Sequence, residues 1–170
     1  MRRSILTIRS YRSNDLEELH AIDCICFPAG IAFSRAQLRS YLTSPASICR
    51  LAVEEERILG FVLAEVDQRS MGHVLTLDVL PEVRKRGIGT LLMNVLHKEM
   101  GRRKIKTVFL EVAVDNIAAR RLYERLHYRY VGRIPGYYRG VQDAYCMVCF
   151  LSPGTGSQFP MDPSNTGPSG

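Results

Sequence analysis

The sequence predicts a mixed α/β domain: one central sheet of about six or seven strands with helices on both faces. Three observations carry that expectation. Apolar residues alternate with period two in several short runs, most clearly in residues 73–80 and 107–114. They recur at helical spacing in others, as in Leu91, Leu92, Val95, Leu96 and Met100. The two patterns are interleaved along the chain: one strand, two helices, three strands, a helix, a strand, a helix and two strands.

Taken in order, Leu6 to Arg9 reads as the first strand. Asp15 opens a helical pattern through Leu16, Leu19, Ile22 and Asp23, with Ser13 or Asn14 as cap. Phe27-Pro28-Ala29-Gly30 breaks it, and Ser34 caps a second helix carrying Leu38, Tyr41 and Leu42. Ser47 to Glu54 and Ile58 to Asp67 form a hairpin around a charged turn. In His73 to Leu80, Leu75, Leu77 and Val79 fall on one face and Val74, Thr76, Asp78 and Leu80 on the other; Pro81 ends the run. Gly89 to Met100 is an amphipathic helix, for which Gly101 is a suitable stop. Thr107 to Val114 is a strand with Val108, Leu110, Val112 and Val114 on one face. Asp115 or Asn116 caps a short helix to Leu126. The last strands, Tyr128 to Arg133 and Ala144 to Leu151, flank a loop over residues 134–140.

Residues 1–151 therefore read as one folded domain, long enough for a single sizeable core. Residues 152–170, rich in Ser, Pro, Gly and Thr, read as a disordered tail. No apolar stretch approaches the length of a membrane span. The five cysteines, an odd number without a signal peptide before them, fit reduced thiols in a cytoplasm. Cys146 and Cys149 have zinc-like spacing, but strand residues three apart point to opposite faces, so no metal is expected. The net charge of +6 suits an anionic ligand without choosing one. No interleaved aromatic and basic platform points to direct nucleic-acid binding.

The sharpest local signal is Arg84-Lys85-Arg86-Gly87-Ile88-Gly89, set between a strand and an amphipathic helix. A helix start offers unbonded N–H groups and a partial positive charge, a ready seat for a phosphate. Glycines at 87 and 89 let the backbone approach a ligand where a Cβ would collide, and the basic side chains add charge. No Gly-Lys-Ser/Thr follows and no third glycine completes G-x-G-x-x-G, so neither a P-loop nor a dinucleotide fingerprint is present.

The run from Val79 to Gly89 resembles the coenzyme A motif, Arg/Gln-x-x-Gly-x-Gly/Ala, of the GNAT (Gcn5-related) acetyltransferases. Leu110-Glu111-Val112 through Asn116, Ala118-Ala119 and Tyr123 is similar to the signature of that family's RimI-like branch of protein N-terminal acetyltransferases. The resemblance spans about residues 8–150. It implies a GNAT fold, acetyl-CoA as cosubstrate, and direct attack of an amine on the thioester in a ternary complex. Main-chain groups of Leu77, Asp78 and Val79 would hold the pantetheine, with the Val79 N–H on the oxyanion. Amides from Arg84, Lys85, Arg86, Gly87, Ile88, Gly89 and Thr90 would hold the pyrophosphate. Asn116 would contact the pantetheine or its water.

The residue types suit that chemistry. A peptide α-amine, with a free pKa of about 8, is mostly ammonium at neutral pH and must lose a proton before it attacks. Glu111 is the expected general base, directly or through water. Tyr123, two helical turns beyond Asn116, is the expected general acid for the departing thiolate. Phe27, Pro28 and Ile31 before the second helix, and Tyr137 and Tyr138 in the last loop, resemble the family's acceptor walls. Gly136 stands where the family often has Asn before the paired tyrosines, and His127 where the short helix usually ends in Gly. The expected acceptor is a protein or peptide N-terminus, a ribosomal protein among the candidates. A small amine such as a polyamine, amino sugar or amino acid derivative is the alternative, and a non-catalytic coenzyme A-binding module a further one. The expected state is a monomer or weak dimer.

Overall fold

A computed structural model describes residues 4–152. Seven strands form one sheet in the order β1-β2-β3-β4-β5-β7-β6. They are β1 (Thr7–Ser10), β2 (Ser47–Glu54), β3 (Arg57–Val66), β4 (Met71–Val79), β5 (Thr107–Ala113), β6 (Arg129–Tyr138) and β7 (Gln142–Phe150). The helices are α1 (Leu16–Cys26), α2 (Arg35–Thr43), α3 (Ile88–Arg102) and α4 (Ile117–Arg125). All neighbouring strands run antiparallel except β4 and β5. Element order and fold class are as the periodicities predict. The predicted tail, beyond Ser152, lies outside the described residues.

Local differences have local causes. Neither Ser13 nor Asn14 caps α1: Ser13–Asp15 is a 3-10 turn, and the buried Asp15 carboxylate accepts Arg12 N–H at 2.7 Å and pairs with Arg9. Ser34 does cap α2, through a reciprocal pair with Gln37 at 3.2 and 2.9 Å. Helix α3 runs through Gly101, because Lys104, at φ 62°, makes the left-handed reversal instead. The predicted loop over residues 134–140 shrinks, since β6 continues to Tyr138.

One irregularity organises the molecule. Thr76 of β4 pairs with Leu63, but Val74 pairs with Ala64, so Leu75 is an extra residue, a bulge. Side chains change face there. Simple alternation, which groups Leu75 with Leu77 and Val79, therefore fails. His73, Thr76 and Asp78 share one face, and Gly72, Val74, Leu77 and Val79 the other. Pairing of β4 with β5 stops at the same place: it covers Met71–Val74 against 107–110 and goes no further. Beyond it β4 follows β3 and β5 follows β7, and the sheet opens along a seam between Leu75–Val79 and Glu111–Ala113.

Helices α1 and α2 cover the face of Thr76 and Asp78, where Asp23 of α1 meets Asp78. Helices α3 and α4 cover the other. A Cβ on Gly72 would strike Met100 of α3 at 2.6 Å, and Arg120 of α4 lies over the Tyr145 ring, 4.9 Å from its centroid. Phe61, Leu19, Leu38, Leu63, Ile88, Leu92, Met93 and Leu96 are among the fully buried side chains of the core.

Candidate active site

The turn Arg84–Gly87 enters α3 through two left-handed residues, Lys85 at φ 64° and Gly87 at φ 80°. The first intrahelical bond is donated by Leu91 N–H to the Gly87 carbonyl, at 3.0 Å. The amides of Ile88, Gly89 and Thr90 are thus the orphan donors of a helix start, at the positive end of a 15-residue helix. Gly87 answers to its backbone angle, since a Cβ there would meet no atom within 4 Å. On Gly89 a Cβ would reach the Leu122 side chain of α4 at 3.4 Å. Of the basic side chains, Arg86 is committed to Glu54 at 2.7 and 3.2 Å, and Arg84 Nε donates to the Val79 carbonyl at 3.0 Å. Lys85 makes no hydrogen bond or ion pair among the described residues. The seat is therefore chiefly main chain, with exposed glycine and free amides where a diphosphate would lie. The residues present fit coenzyme A: anion seat, then the open edge of Leu77–Val79 leading into the seam.

Glu111 stands at that seam. Its backbone pairs with Cys146 of β7, and its side chain leaves on the α1–α2 face. The ring of His73, stacked on Phe109 at 4.3 Å, puts Nε2 2.6 Å from Glu111 Oε2. Both side chains are mostly covered, at 26% and 13% exposure, so the pair is shielded without being sealed. Stacking fixes the imidazole plane, and the bond to one carboxylate oxygen leaves the other for a proton.

Tyr123 comes from α4 on the opposite face. Its ring is buried against Tyr128 at 5.7 Å, and burial holds its phenol well above the ordinary range. The two side chains thus flank, from opposite faces, the stretch where β4 and β5 no longer pair. Tyr138 lies within influence of both: burial, then the Glu111 charge, pushes its phenol up to about 12, and Tyr138 in turn acts on Tyr123. A phenol kept protonated can donate and will not compete for a proton. Asn116 is the cap of α4, its Oδ1 accepting Ala119 N–H at 3.2 Å. Asp78 is fully buried under α1, so only its main chain can face the seam.

The two segments expected to wall the acceptor meet. Asp23 closes the loop between α1 and α2 at both ends: its backbone carbonyl accepts Phe27 N–H at 2.9 Å and its Oδ2 accepts Phe33 N–H at 2.6 Å. Phe27 and Ile31 are half-buried and Pro28 is exposed. Arg139, at the tip of the last hairpin, lies under Gly30 and donates to the Ala29 carbonyl at 2.8 Å. A bulge in β6 sets residues 135–137 against Asp143 alone, with Gly136 at φ 61°. Gly and Asn are the residues that enter this conformation readily, which accounts for Gly136 at its position. His127 likewise takes φ 66° after α4. The β6 bulge aims Tyr137 at Glu111, and burial and that carboxylate together hold its phenol far above its usual range. Beside Tyr138 an open cleft of about 750 Å³, lined by Ile31, Arg139 and Asp143 among others, leads outward.

Sequence reasoning did not single out His73, Arg139 or Asp23. The β4 bulge hides His73, because plain alternation puts it on the other face. A contact 110 residues apart leaves no local trace for Arg139. No cluster of side chains that could hold a metal occurs among the described residues, and no helix there is long and apolar enough to cross a membrane.

Residues 16–128 match the Acetyltransferase (GNAT) family. An uncharacterized N-acetyltransferase of Methanocaldococcus jannaschii is 29% identical over 144 residues, covering 84% of this chain and 90% of that protein. Among solved structures, the ribosomal-protein-S18-alanine N-acetyltransferase from Escherichia coli superposes with a TM-score of 0.80 at 23% identity, covering 92% of this chain and all of that one, 100%. Arabidopsis thaliana NAA60, in complex with a bisubstrate analogue, superposes with a TM-score of 0.77 at 27% identity over 88% of this chain and 100% of its own.

Proposed function

We propose, for a chain that belongs to the Acetyltransferase (GNAT) family and is an acetyl-CoA-dependent N-acetyltransferase, that the acceptor is the N-terminal α-amine of a protein or peptide. The observation that carries this reading is the joining of the two acceptor loops by Arg139 and Ala29 over an open-ended cleft beside Tyr138. A small amine needs an enclosed pocket; a peptide needs a gripped first residue and a way out for the rest. One similar structure bears on this by name, a ribosomal-protein-S18-alanine N-acetyltransferase, and another is a complex with a bisubstrate analogue. A ribosomal protein is accordingly a natural first substrate to try.

In this reading the α-amine enters between Tyr137 and Tyr138 and meets Glu111. The free Glu111 oxygen takes its proton, directly or through one water, while His73 holds the other oxygen and fixes the carboxylate plane. The neutral amine attacks the thioester carbonyl. The carbonyl oxygen is stabilised by the Val79 main-chain N–H, and the departing sulfur receives the Tyr123 proton across the seam. The remaining extra proton on the newly acylated nitrogen returns, through water, to restore the Tyr123 phenol. The thioester reaches the seam because the α3 start holds its diphosphate.

The test is thiol release from acetyl-CoA with peptides whose N-termini are free or blocked, beside polyamines and amino sugars. Turnover of free-N-terminus peptides, abolished by blocking, is expected. Turnover confined to the small amines would overthrow the peptide reading while leaving the acetyltransferase intact.

A further inference from the structure

Two carboxyl groups lie face to face beneath the seam, and the chemistry described so far uses neither. Asp23 of α1 is 1% exposed and Asp78 of β4 is 0% exposed. Each has one oxygen satisfied. Asp23 Oδ2 accepts Phe33 N–H at 2.6 Å, and Asp78 Oδ1 accepts the Thr76 hydroxyl at 2.5 Å. Each has one orphan, Asp23 Oδ1 and Asp78 Oδ2, with no donor in reach. The two side chains are within hydrogen-bonding contact of each other.

Two ionised carboxylates in that position would leave both orphans unsatisfied and would repel across a medium with little water. A single proton removes both defects. Placed on Asp78, it makes an O–H that donates to Asp23 Oδ1, and every buried oxygen then has a partner. Retreat is blocked, because β3 presses on the backbone behind: a Cβ on Gly60 would lie 2.3 Å from the Asp78 carbonyl oxygen.

The position of the pair gives it a role. Asp23 already closes the acceptor loop from Phe27 to Phe33 at both ends. Asp78 immediately precedes Val79, the last residue of the strand that lines the donor side. We infer that Asp23 and Asp78 share one proton at neutral pH, and that this proton-bridged pair is a positioning device locking the acceptor loop to the thioester-bearing strand.

Both carboxyls are held above the ordinary carboxylate range, by burial first. The groups that face the pair give little counter-charge. Arg84 is the cation, and its Nε is committed to the Val79 carbonyl. His20 of α1 acts on Asp23, while Cys26 of α1, Cys49 of β2 and Tyr123 of α4 are the neutral groups within influence of Asp78. Loss of the shared proton at alkaline pH restores the repulsion and frees the loop.

The test has two independent parts on the full chain. Infrared difference spectra of wild type against Asp78→Asn at neutral pH should contain a carbonyl band of a protonated carboxylic acid, absent from the variant. The protection of the amides of segment 27–33, taken relative to their intrinsic base-catalysed exchange at each pH, should fall as that band titrates away with rising pH. Neither readout depends on which acceptor the enzyme uses. The kinetic part rests on the peptide reading: Asp23→Ala should raise the peptide KM about tenfold while moving the acetyl-CoA KM less than about twofold, and Asp23→Asn, which can still donate to Asp78 and accept from Phe33, should recover most of the loss. A wild-type spectrum without the acid band overturns the shared proton. Exchange in 27–33 that ignores the titration, or equal KM changes for both substrates in Asp23→Ala, overturns the lock.

Discussion

On the proposed reading, the donor and acceptor sides of the open seam are built by different means. The donor side is consecutive and mostly backbone: residues 77–79 of β4, the turn 84–87 and the first amides of α3 follow one another along the chain. The acceptor side is dispersed and mostly side chain. It takes Asp23 from α1, Phe27 and Ile31 from the following loop, His73 from β4, Glu111 from β5, and Tyr137, Tyr138 and Arg139 from the last hairpin. Backbone donors bind any diphosphate of suitable reach, so the donor side can be general. Side chains gathered from five segments can be re-cut one at a time, so the acceptor side is where selectivity is set. The difference predicts that damage to the two sides should be separable in kinetics.

The strongest way to break that separation is at the point where both sides converge. Glu111→Gln keeps the shape and the His73 contact but removes the proposed base, and kcat should fall about a thousandfold with both KM values nearly unmoved. Because the amine can lose its proton to bulk hydroxide, the variant's rate should climb with pH where the wild type levels off. A loss under about tenfold across the pH range would assign the base elsewhere, and the seam would lose its place as the meeting point.

The donor side also has a buttress of its own. Tyr123 rests on Tyr128, whose hydroxyl bonds His97 Nε2 of α3 at 2.8 Å. Burial holds the His97 imidazole down to about 4. In the unfolded chain it titrates near 6.5. Between those values the unfolded state binds the proton and the folded state does not, so stability is unaffected above about pH 6.5 and falls as pH drops towards 4. Urea unfolding should show a loss of about 2 kcal/mol at pH 5 relative to pH 7.5, within a total of about 3 kcal/mol. His97→Gln should remove that part of the acid limb; an unchanged limb would mean that the imidazole titrates freely in the fold.

The same contrast explains what could be read from the sequence. The donor side was legible because its parts are contiguous: a strand, a Gly-bearing turn and an amphipathic helix, in a spacing that chemistry restricts. Glu111 and Tyr123 stand out as candidates for the same reason, each inside a local pattern. The element order followed from periodicity alone. What escaped was set by irregularity and distance. The bulge at Leu75 reverses the faces of β4, so His73 could not be placed beside Glu111 by counting. The β6 bulge turns a predicted loop into strand and re-aims Tyr137. Arg139 and Ala29, or Asp23 and Asp78, meet through tertiary packing that no window of a dozen residues contains. Ser13 and Asn14 lost the α1 cap to Asp15 because Arg9, on another element, fixes the Asp15 carboxylate.

Separability can be sharpened with a crossed pair of substitutions. Gly87→Ala forces an L side chain into a left-handed position, at a cost of roughly 1–2 kcal/mol. With nothing within 4 Å to clash, the strain should act through the anion seat: the acetyl-CoA KM rises about tenfold, the acceptor KM stays. Arg139→Ala removes one exposed hydrogen bond to Ala29, worth about 1 kcal/mol, and uncouples the hairpin from the α1–α2 loop. Here the acceptor KM should rise about threefold to fivefold and the acetyl-CoA KM stay. The double variant should show both changes at full size, since the groups share no partner. If each substitution instead moves both constants, the seam transmits strain between its sides, and the division into a general donor seat and a selective acceptor wall does not hold.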